Sequence, residues 1–400
     1  MSMATGEEKA AFVEQTDRIF TRDFIEIFLA AGLMRVCYQM QSTVFPLYGD
    51  ELGFSATLIG LMTTVCTLSS LILRPLLGGL LDLYGRRKIV LIGTLLFAAA
   101  TFFCGFTGVI GLLFFLRAVQ GVGFSAHTTA VNTMATDVLP EKRMAEGIGY
   151  MGLTGSVSLA IAPALAIQLS SGGHYRRSFV AAAAAGGVAV VCLLLVRGKD
   201  EKHVPKKKKG HLAEMFWEKA AVKPALLMMV LGGCNAGLGT FLAIYAKSAG
   251  FTKEDISTYF VVNAVALALA RFFGGRISEK MGHRLTMLVC TILCVIAYLM
   301  VPLAGTAYVL WIAAFLYGIG YGTIYPMLNA MAIVLSPREH RGTAMATFLT
   351  GMDIGIGFGA GIWGVVADGI GLRSMFITGG IVSAAVFLLD CILFRRGREI

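Results

Sequence analysis

Arg35, Arg117, His127 and Asp353 stand inside long apolar runs. An ionisable side chain out of water is expensive, so each needs a partner or a task. Gln39 and Ser42 follow Arg35 at helical spacing and give that run one polar face. A guanidinium is a planar fork that fits a carboxylate or phosphate, so Arg35 and Arg117, with Gln39 and Gln120 nearby, can hold an anionic group of a solute. The other reading is that each Arg is tied to backbone carbonyls or a carboxylate and only joins helices. His127 follows Arg117 by ten residues, close to three helical turns, and either accepts a proton near neutral pH or packs as a hydrogen-bonded side chain. Tyr317, Tyr321 and Tyr325, one turn apart and followed by Asn329, form a stripe of aromatic hydroxyls, with core packing as the alternative. Asn235 is a weaker polar candidate. Asp353, in LTGMDIGIGFGAG, can cycle between protonated and charged forms, which proton coupling requires. Its alternative role is a structural pair with Arg74 or Arg271. Asp23 and Glu26 are further proton candidates nearer to water.

The elements that must position these residues follow from composition. Of 400 residues, 56% are hydrophobic and only 14% charged, and the mean hydropathy is +0.75. Soluble domains carry about 25% charged residues, so a soluble enzyme, a nucleic-acid-binding protein and a disordered chain are excluded. An all-α polytopic membrane protein remains. Apolar runs predict twelve helices at 24–47, 56–81, 88–107, 110–134, 147–170, 178–197, 222–246, 256–279, 284–303, 306–333, 343–366 and 372–394. They group into a segment 1–23, a six-helix bundle 24–197, a basic linker 198–221, a second bundle 222–394 and a tail 395–400. The first 20 residues lack the basic stretch and short apolar core of a cleaved signal peptide, so the first run is expected to remain as helix 1.

Twenty-four of the 34 Lys and Arg fall in the terminal segments and alternate loops, and five in the opposite loops. The positive-inside rule then puts both termini in the cytoplasm, in a cell (inner) membrane. The lysine run Lys206 to Lys209 reads as an orientation signal and linker. The eight cysteines lie in apolar runs without metal-ligand spacing and read as packing residues. No metal, cofactor or nucleotide is expected: no Walker sequence, nucleophile–base pair or ligand cluster occurs, so an enzyme is not expected either. Gly351, Gly355 and Gly359 repeat at four, the spacing that lets membrane helices approach closely, and Gly147, Gly152 and Gly155 are expected to do the same.

Shifted by 197 residues, the chain repeats itself. Tyr48, Gly53, Phe54, Val65, Arg74, Gly78, Gly85 and Arg87 fall on Tyr245, Gly250, Phe251, Val262, Arg271, Gly275, Gly282 and Arg284, and Asp82 falls on Glu279. Parallel repeats of this kind are a transporter architecture, with the solute site between them near mid-membrane. GGLLDLYGRRK (78–88) and GGRISEKMGHR (274–284) each put an acid, a Gly turn and cations at a helix–helix corner, the parts of a charge clasp that can close and break. Gly78, Asp82, Gly85, Arg86, Arg87 and Arg74 form one candidate gate, and Gly275, Glu279, Arg284 and Arg271 the other.

These motifs resemble the major facilitator superfamily, and within it the twelve-helix drug/proton antiporter branch, over residues 20–395. The resemblance rests on Gly78, Asp82, Gly85, Arg86 and Arg87 for the helix 2–3 motif. It rests also on Leu116, Arg117, Gln120 and Gly121 for the helix 4 motif, and on Gly152, Gly155 and Pro163 for the helix 5 motif. Ala162 and Ala166 depart from the last pattern, where Gly is usual. The resemblance implies two pseudo-symmetric six-helix bundles, alternating access, and a cavity lined by helices 1, 4, 7 and 10. Arg35 and Arg117 would then face that cavity at similar depth. The expected function is proton-coupled export of a small organic compound of amphipathic or anionic character, by a monomer in the lipid bilayer. Import of an organic anion with protons, lipid flipping and a non-transporting receptor are the rivals.

Overall fold

The computed structural model describes residues 19–140, 143–197, 218–337 and 340–393. Residues 198–217 of the basic linker, with the lysine run, therefore lie outside the described residues. So do the side chains of Asp82 and Glu279, the acids of both predicted clasps, and the surroundings of Gly78 and Gly275.

Among the described residues there are twelve long helices and no strand. They are α1 (Arg22–Glu51), α2 (Ala56–Tyr84), α3 (Arg86–Cys104), α4 (Ile110–Val138), α5 (Met144–Leu169) and α6 (Tyr175–Leu195), then α7 (Val222–Ser248), α8 (Lys253–Met281), α9 (His283–Met300), α10 (Ala307–Val334), α11 (Arg341–Ile370) and α12 (Leu372–Leu393). Ten are long and apolar enough to cross a membrane. The other two, α1 and α8, carry more charge.

The expected helices all form, with several ends displaced. Helices α2 and α8 run past 81 and 279 until they reach Gly85 (φ 88°) and Gly282 (φ 77°), where only a residue without Cβ turns easily. Helix α11 likewise continues to Gly371 (φ 84°). The repeat is present in the backbone: Gly53 and Gly250 share positive φ, and the residues that cap α2 and α8 correspond in function. Ser55 Oγ accepts from Leu58 N at 3.2 Å, and Thr252 Oγ1 accepts from Asp255 N at 3.2 Å.

Between the halves, α2 runs along α11 and α5 along α8. The α2–α11 seam is tight: the Thr64 hydroxyl donates to Gly357 O at 2.5 Å, and a side chain at Gly60 would run into the Ala360 carbonyl. Within the second half, Gly351, Gly355 and Gly359 face Ala225, Met229 and Gly233 of α7, where any Cβ would collide. The matching expectation for α5 fails. Gly152 faces open space, Gly147 meets Leu139, and Gly155 faces the Arg35 side chain rather than a helix backbone.

At the end away from the termini the halves are tied by polar contacts. Asp368 of α11 accepts from Ala56 N and Thr57 N (2.9 and 2.8 Å), placing a carboxylate at the positive end of α2. Lys247 of α7 reaches Glu51 of α1 at 3.1 Å and Tyr175 of α6 at 3.4 Å.

Candidate functional site

A cavity of about 320 Å³ lies between the halves. Tyr38, Gln39 and Ser42 of α1 and Thr63 and Thr67 of α2 line one side; Asn235 of α7, Asn263 and Arg271 of α8 and Tyr317 and Tyr321 of α10 line the other. Apolar residues such as Leu159, Phe260 and Ile356 share the lining, and its polar groups are mostly neutral. Tyr317 donates to Asn235 Oδ1 at 3.1 Å and stacks on Tyr321 with ring centres 5.7 Å apart. Tyr38 stacks on Phe124 of α4 at 4.2 Å. These contacts fix ring orientation and leave polar edges towards the cavity. Gln39, Asn235, Tyr317 and Tyr321 therefore come together as the sequence suggested. Tyr325, one turn further along α10, packs instead beside Phe348 at 5.8 Å.

Four membrane arginines, Arg35, Arg74, Arg117 and Arg271, occupy different environments. Arg117 is 4% exposed and fully engaged: its Nε donates to Met62 O at 3.2 Å, Nη1 to Gln120 Oε1 at 3.1 Å and Nη2 to Thr63 Oγ1 at 3.4 Å, and the guanidinium carbon lies 4.4 Å from the centre of the Phe45 ring. Gln120 Oε1 also accepts from Gln41 at 3.2 Å, and its Nε2 donates to Thr101 at 3.1 Å. Neither side chain lines the cavity, contrary to the expectation from helix 4. The reason lies one turn on: Gly121 packs its helix face on Cys66 of α2, and Arg117 shares that face and meets Met62.

Arg35 lies in a narrow crevice with His127, Asn132 and Thr154. Its Nη1 is next to Gly155 of α5, and no carboxylate pairs with it among the described residues. His127 is 2% exposed and its Nδ1 is 2.7 Å from Thr94 Oγ1, the geometry of a packed, hydrogen-bonded imidazole.

Arg74 of α2 forms an ion pair with Asp353 of α11, across the halves. Arg271 of α8 donates from Nη1 to Ser156 Oγ of α5 at 2.6 Å, also across the halves. Under the 197-residue shift Arg74 maps to Arg271, and Ser156 maps to Asp353. One contact, repeated by pseudo-symmetry, thus has a carboxylate in one copy and a hydroxyl in the other. The shift could have revealed this from sequence, because it places Ser156, the hydrogen-bond partner of Arg271 among the described residues, opposite an acid.

The remaining candidates lie elsewhere. Glu26 pairs with Arg22 at 2.9 Å and Asp23 accepts from Arg197 N at 2.9 Å, both at the terminal end of α1 and outside the cavity lining. Arg86 pairs with Asp137 of α4, and Arg87 donates to Leu194 O at 2.7 Å. Asp137, Asp368 and Lys247 went unnoticed in the sequence because acids and lysines at helix ends look like ordinary wet residues. The eight cysteines are free thiols, six of them buried.

Two six-helix halves enclosing a central cavity are the architecture of a membrane transporter. The major facilitator superfamily model matches residues 27–267 and 225–399, and the chain belongs to that superfamily. It is 24% identical to a staphylopine export protein of Staphylococcus aureus over 380 residues, covering 92% of this chain and 95% of that one. It is 25% identical to an uncharacterized MFS-type transporter of Burkholderia mallei, covering 87% of this chain and 86% of that one. Among solved structures it resembles the nucleoside transporter NupG (TM-score 0.76, 14% identity, 94% of this chain and 100% of that one). It also resembles a bacterial homologue of the lysosomal transporter Spinster in an inward-facing state (TM-score 0.75, 18% identity, 94% and 98%). At those identities the structural likeness speaks for the fold.

Proposed function

We propose that this protein is a proton-coupled secondary transporter that exports a small organic compound, working as a monomer with both termini in the cytoplasm. The observation that carries the reading is the Arg74–Asp353 ion pair. It crosses the two halves beside the polar cavity, so its charge state bears on how the halves hold together. Protonating Asp353 removes the negative partner and frees Arg74. Alternating access needs a contact of this kind that closes in one charge state and releases in the other. Export is supported by the staphylopine export relative, and the 24-to-5 distribution of basic residues orients the tied end of the bundle outward.

A second reading, proton-coupled import of an organic anion, is favoured by Arg35 and Arg271, two cations for which the described residues supply no carboxylate. An anion bound near Asp353 stabilises its protonated form, so anion and proton bind together. A cationic group competing for Asp353 displaces the proton instead.

The test uses proteoliposomes with an internal pH dye and a panel of drugs and organic acids, comparing wild type with Asp353→Asn. Export predicts counterflow of proton and compound; import predicts flow in the same direction. Both require the proton movement to vanish in Asp353→Asn. Proton flux that survives the substitution removes Asp353 from the coupling, and absence of any compound-dependent flux removes the transporter reading itself.

A further inference from the structure

The two mirror contacts between the halves differ in one respect that bears on substrate chemistry. On one side Arg74 meets Asp353. On the other, Arg271 meets Ser156, whose hydroxyl accepts one hydrogen bond at 2.6 Å and carries no charge. A guanidinium has five N–H donors and is always charged. Arg271 is exposed and lines the cavity, with most of its fork unused.

A second cation stands beside it. Gly155 and Ser156 are neighbours on α5. The first is against the Arg35 guanidinium and the second bonds the Arg271 guanidinium. The two groups are within electrostatic reach of each other and of the Tyr325 hydroxyl. Among Arg35, Arg74 and Arg271 there is one carboxylate partner, Asp353, so Arg35 and Arg271 keep their charges with no acid opposite them among the described residues. A bound compound with two acidic groups would answer both cations, and the absence of a side chain at Gly155 is what lets the Arg35 guanidinium lie against α5.

We propose that Arg271, with Arg35 beside it, receives a carboxylate of the transported compound in the place where the other half supplies its own Asp353, and that the substrate is a dicarboxylate or a compound carrying two such groups. This rests on the transporter reading and holds for either direction of flux. The carboxylate at Arg271 would take a forked pair of N–H donors from α8 and the other acidic group would face Arg35 of α1, so the compound joins the two halves as Asp353 does.

The experiment measures thermal shift of the full chain in lipid nanodiscs. The probes are the linear α,ω-dicarboxylates from succinate to adipate and their diamides. At least one acid raises Tm in wild type and its diamide does not. Arg271→Gln and Arg35→Gln each weaken that acid about tenfold or more, the loss expected for a charge-assisted hydrogen bond. Arg271→Lys, which keeps charge but loses the fork, weakens it less. The decisive variant is Ser156→Asp, which supplies an internal carboxylate: it abolishes acid binding while its ligand-free Tm equals or exceeds wild type. Ser156→Asn, neutral and of similar size to Asp, retains binding. Equal binding of the diamides, no binding of any acid at millimolar concentration, or undiminished binding in Arg271→Gln or Ser156→Asp overturns the proposal. Should Ser156→Asp fail to fold, the Gln and Lys variants of Arg271 decide the matter. Compound-dependent flux of neutral solutes in proteoliposomes together with no acid binding would refute the carboxylate site and leave the transporter reading standing. No flux with any solute would refute the transporter reading.

Discussion

The Arg74–Asp353 contact and the Arg271–Ser156 contact occupy equivalent positions in the two repeats, yet they have opposite electrostatics. In the first, a cation that is 33% exposed and an acid that is 13% exposed neutralise one another across the seam of α2 and α11. In the second, across α5 and α8, the cation keeps its charge and meets a hydroxyl. The geometry of a repeat can therefore persist while its chemistry divides. A paired acid can take a proton, and an unpaired cation can take an anion. Arg117 offers a third case. It is also a membrane arginine, but its donors are used by Met62 O, Gln120 and Thr63, so its role is to bind α4 to α2.

The largest expected effect comes from removing the acid of the first contact. Asp353→Asn leaves Arg74 without its charge partner. It should lower stability by about 2–3 kcal/mol, below the full cost of a broken buried pair because Arg74 is partly exposed, and compound-dependent proton flux should disappear. Thermal unfolding and the proteoliposome pH signal check the two parts separately.

Arg117→Leu comes next. It leaves Gln120 Oε1 and the Met62 carbonyl each short of a donor in the interior and should cost about 2 kcal/mol. Solute affinity of the folded fraction should stay at the wild-type value, because this guanidinium lies outside the cavity. A lost solute site with unchanged stability would reverse the assignments of Arg117 and Arg271.

Tyr317→Phe tests the neutral wall of the cavity. It removes the hydrogen bond to Asn235 and should cost about 1 kcal/mol in stability, with a severalfold loss in solute affinity read by titration. Smaller still is Lys247→Ala. This lysine is 45% exposed, so its pair with Glu51 is worth about 0.5 kcal/mol and fades with salt. Spin-label distances between α1 and α7 at the tied end should lengthen in that variant at low salt and match wild type at high salt.

Much of the fold was legible because its signals are local and redundant. Apolar run length marked all twelve helices, and the 197-residue shift marked the two halves. Boundaries at Gly85, Gly282 and Gly371 were misplaced because hydropathy falls before the backbone turns, and the turn waits for a residue that tolerates positive φ. The small-residue reading worked for Gly351, Gly355 and Gly359, which have α7 opposite. It failed for Gly152, which has open space. Spacing says which residues share a face and does not say what that face meets.

The same limit governed the site. Gln39, Asn235, Tyr317 and Tyr321 were readable as cavity residues because polar side chains at helical spacing have few other places to go. Arg117 was not, because the direction it faces depends on how Gly121 docks on Cys66. The pairing of Asp353 was open between Arg74 and Arg271, which are themselves repeat mates. Only the packing of α2 on α11 selects Arg74. The vacant partner of Arg271 was legible in principle from the alignment of Ser156 with Asp353.

The central claim is that these mirror contacts share one geometry and differ by a single carboxylate. The measurement that tests it most directly is dicarboxylate binding to the exchanged variant Ser156→Asp/Asp353→Ser, beside Ser156→Asp alone, by thermal shift in nanodiscs. The single variant should lose the acid. The exchanged variant, with Arg271 paired and Arg74 vacated, should regain it and depend on Arg74 instead of Arg271. An exchanged variant that binds no better than Ser156→Asp, or a single variant that binds as wild type does, would contradict the account.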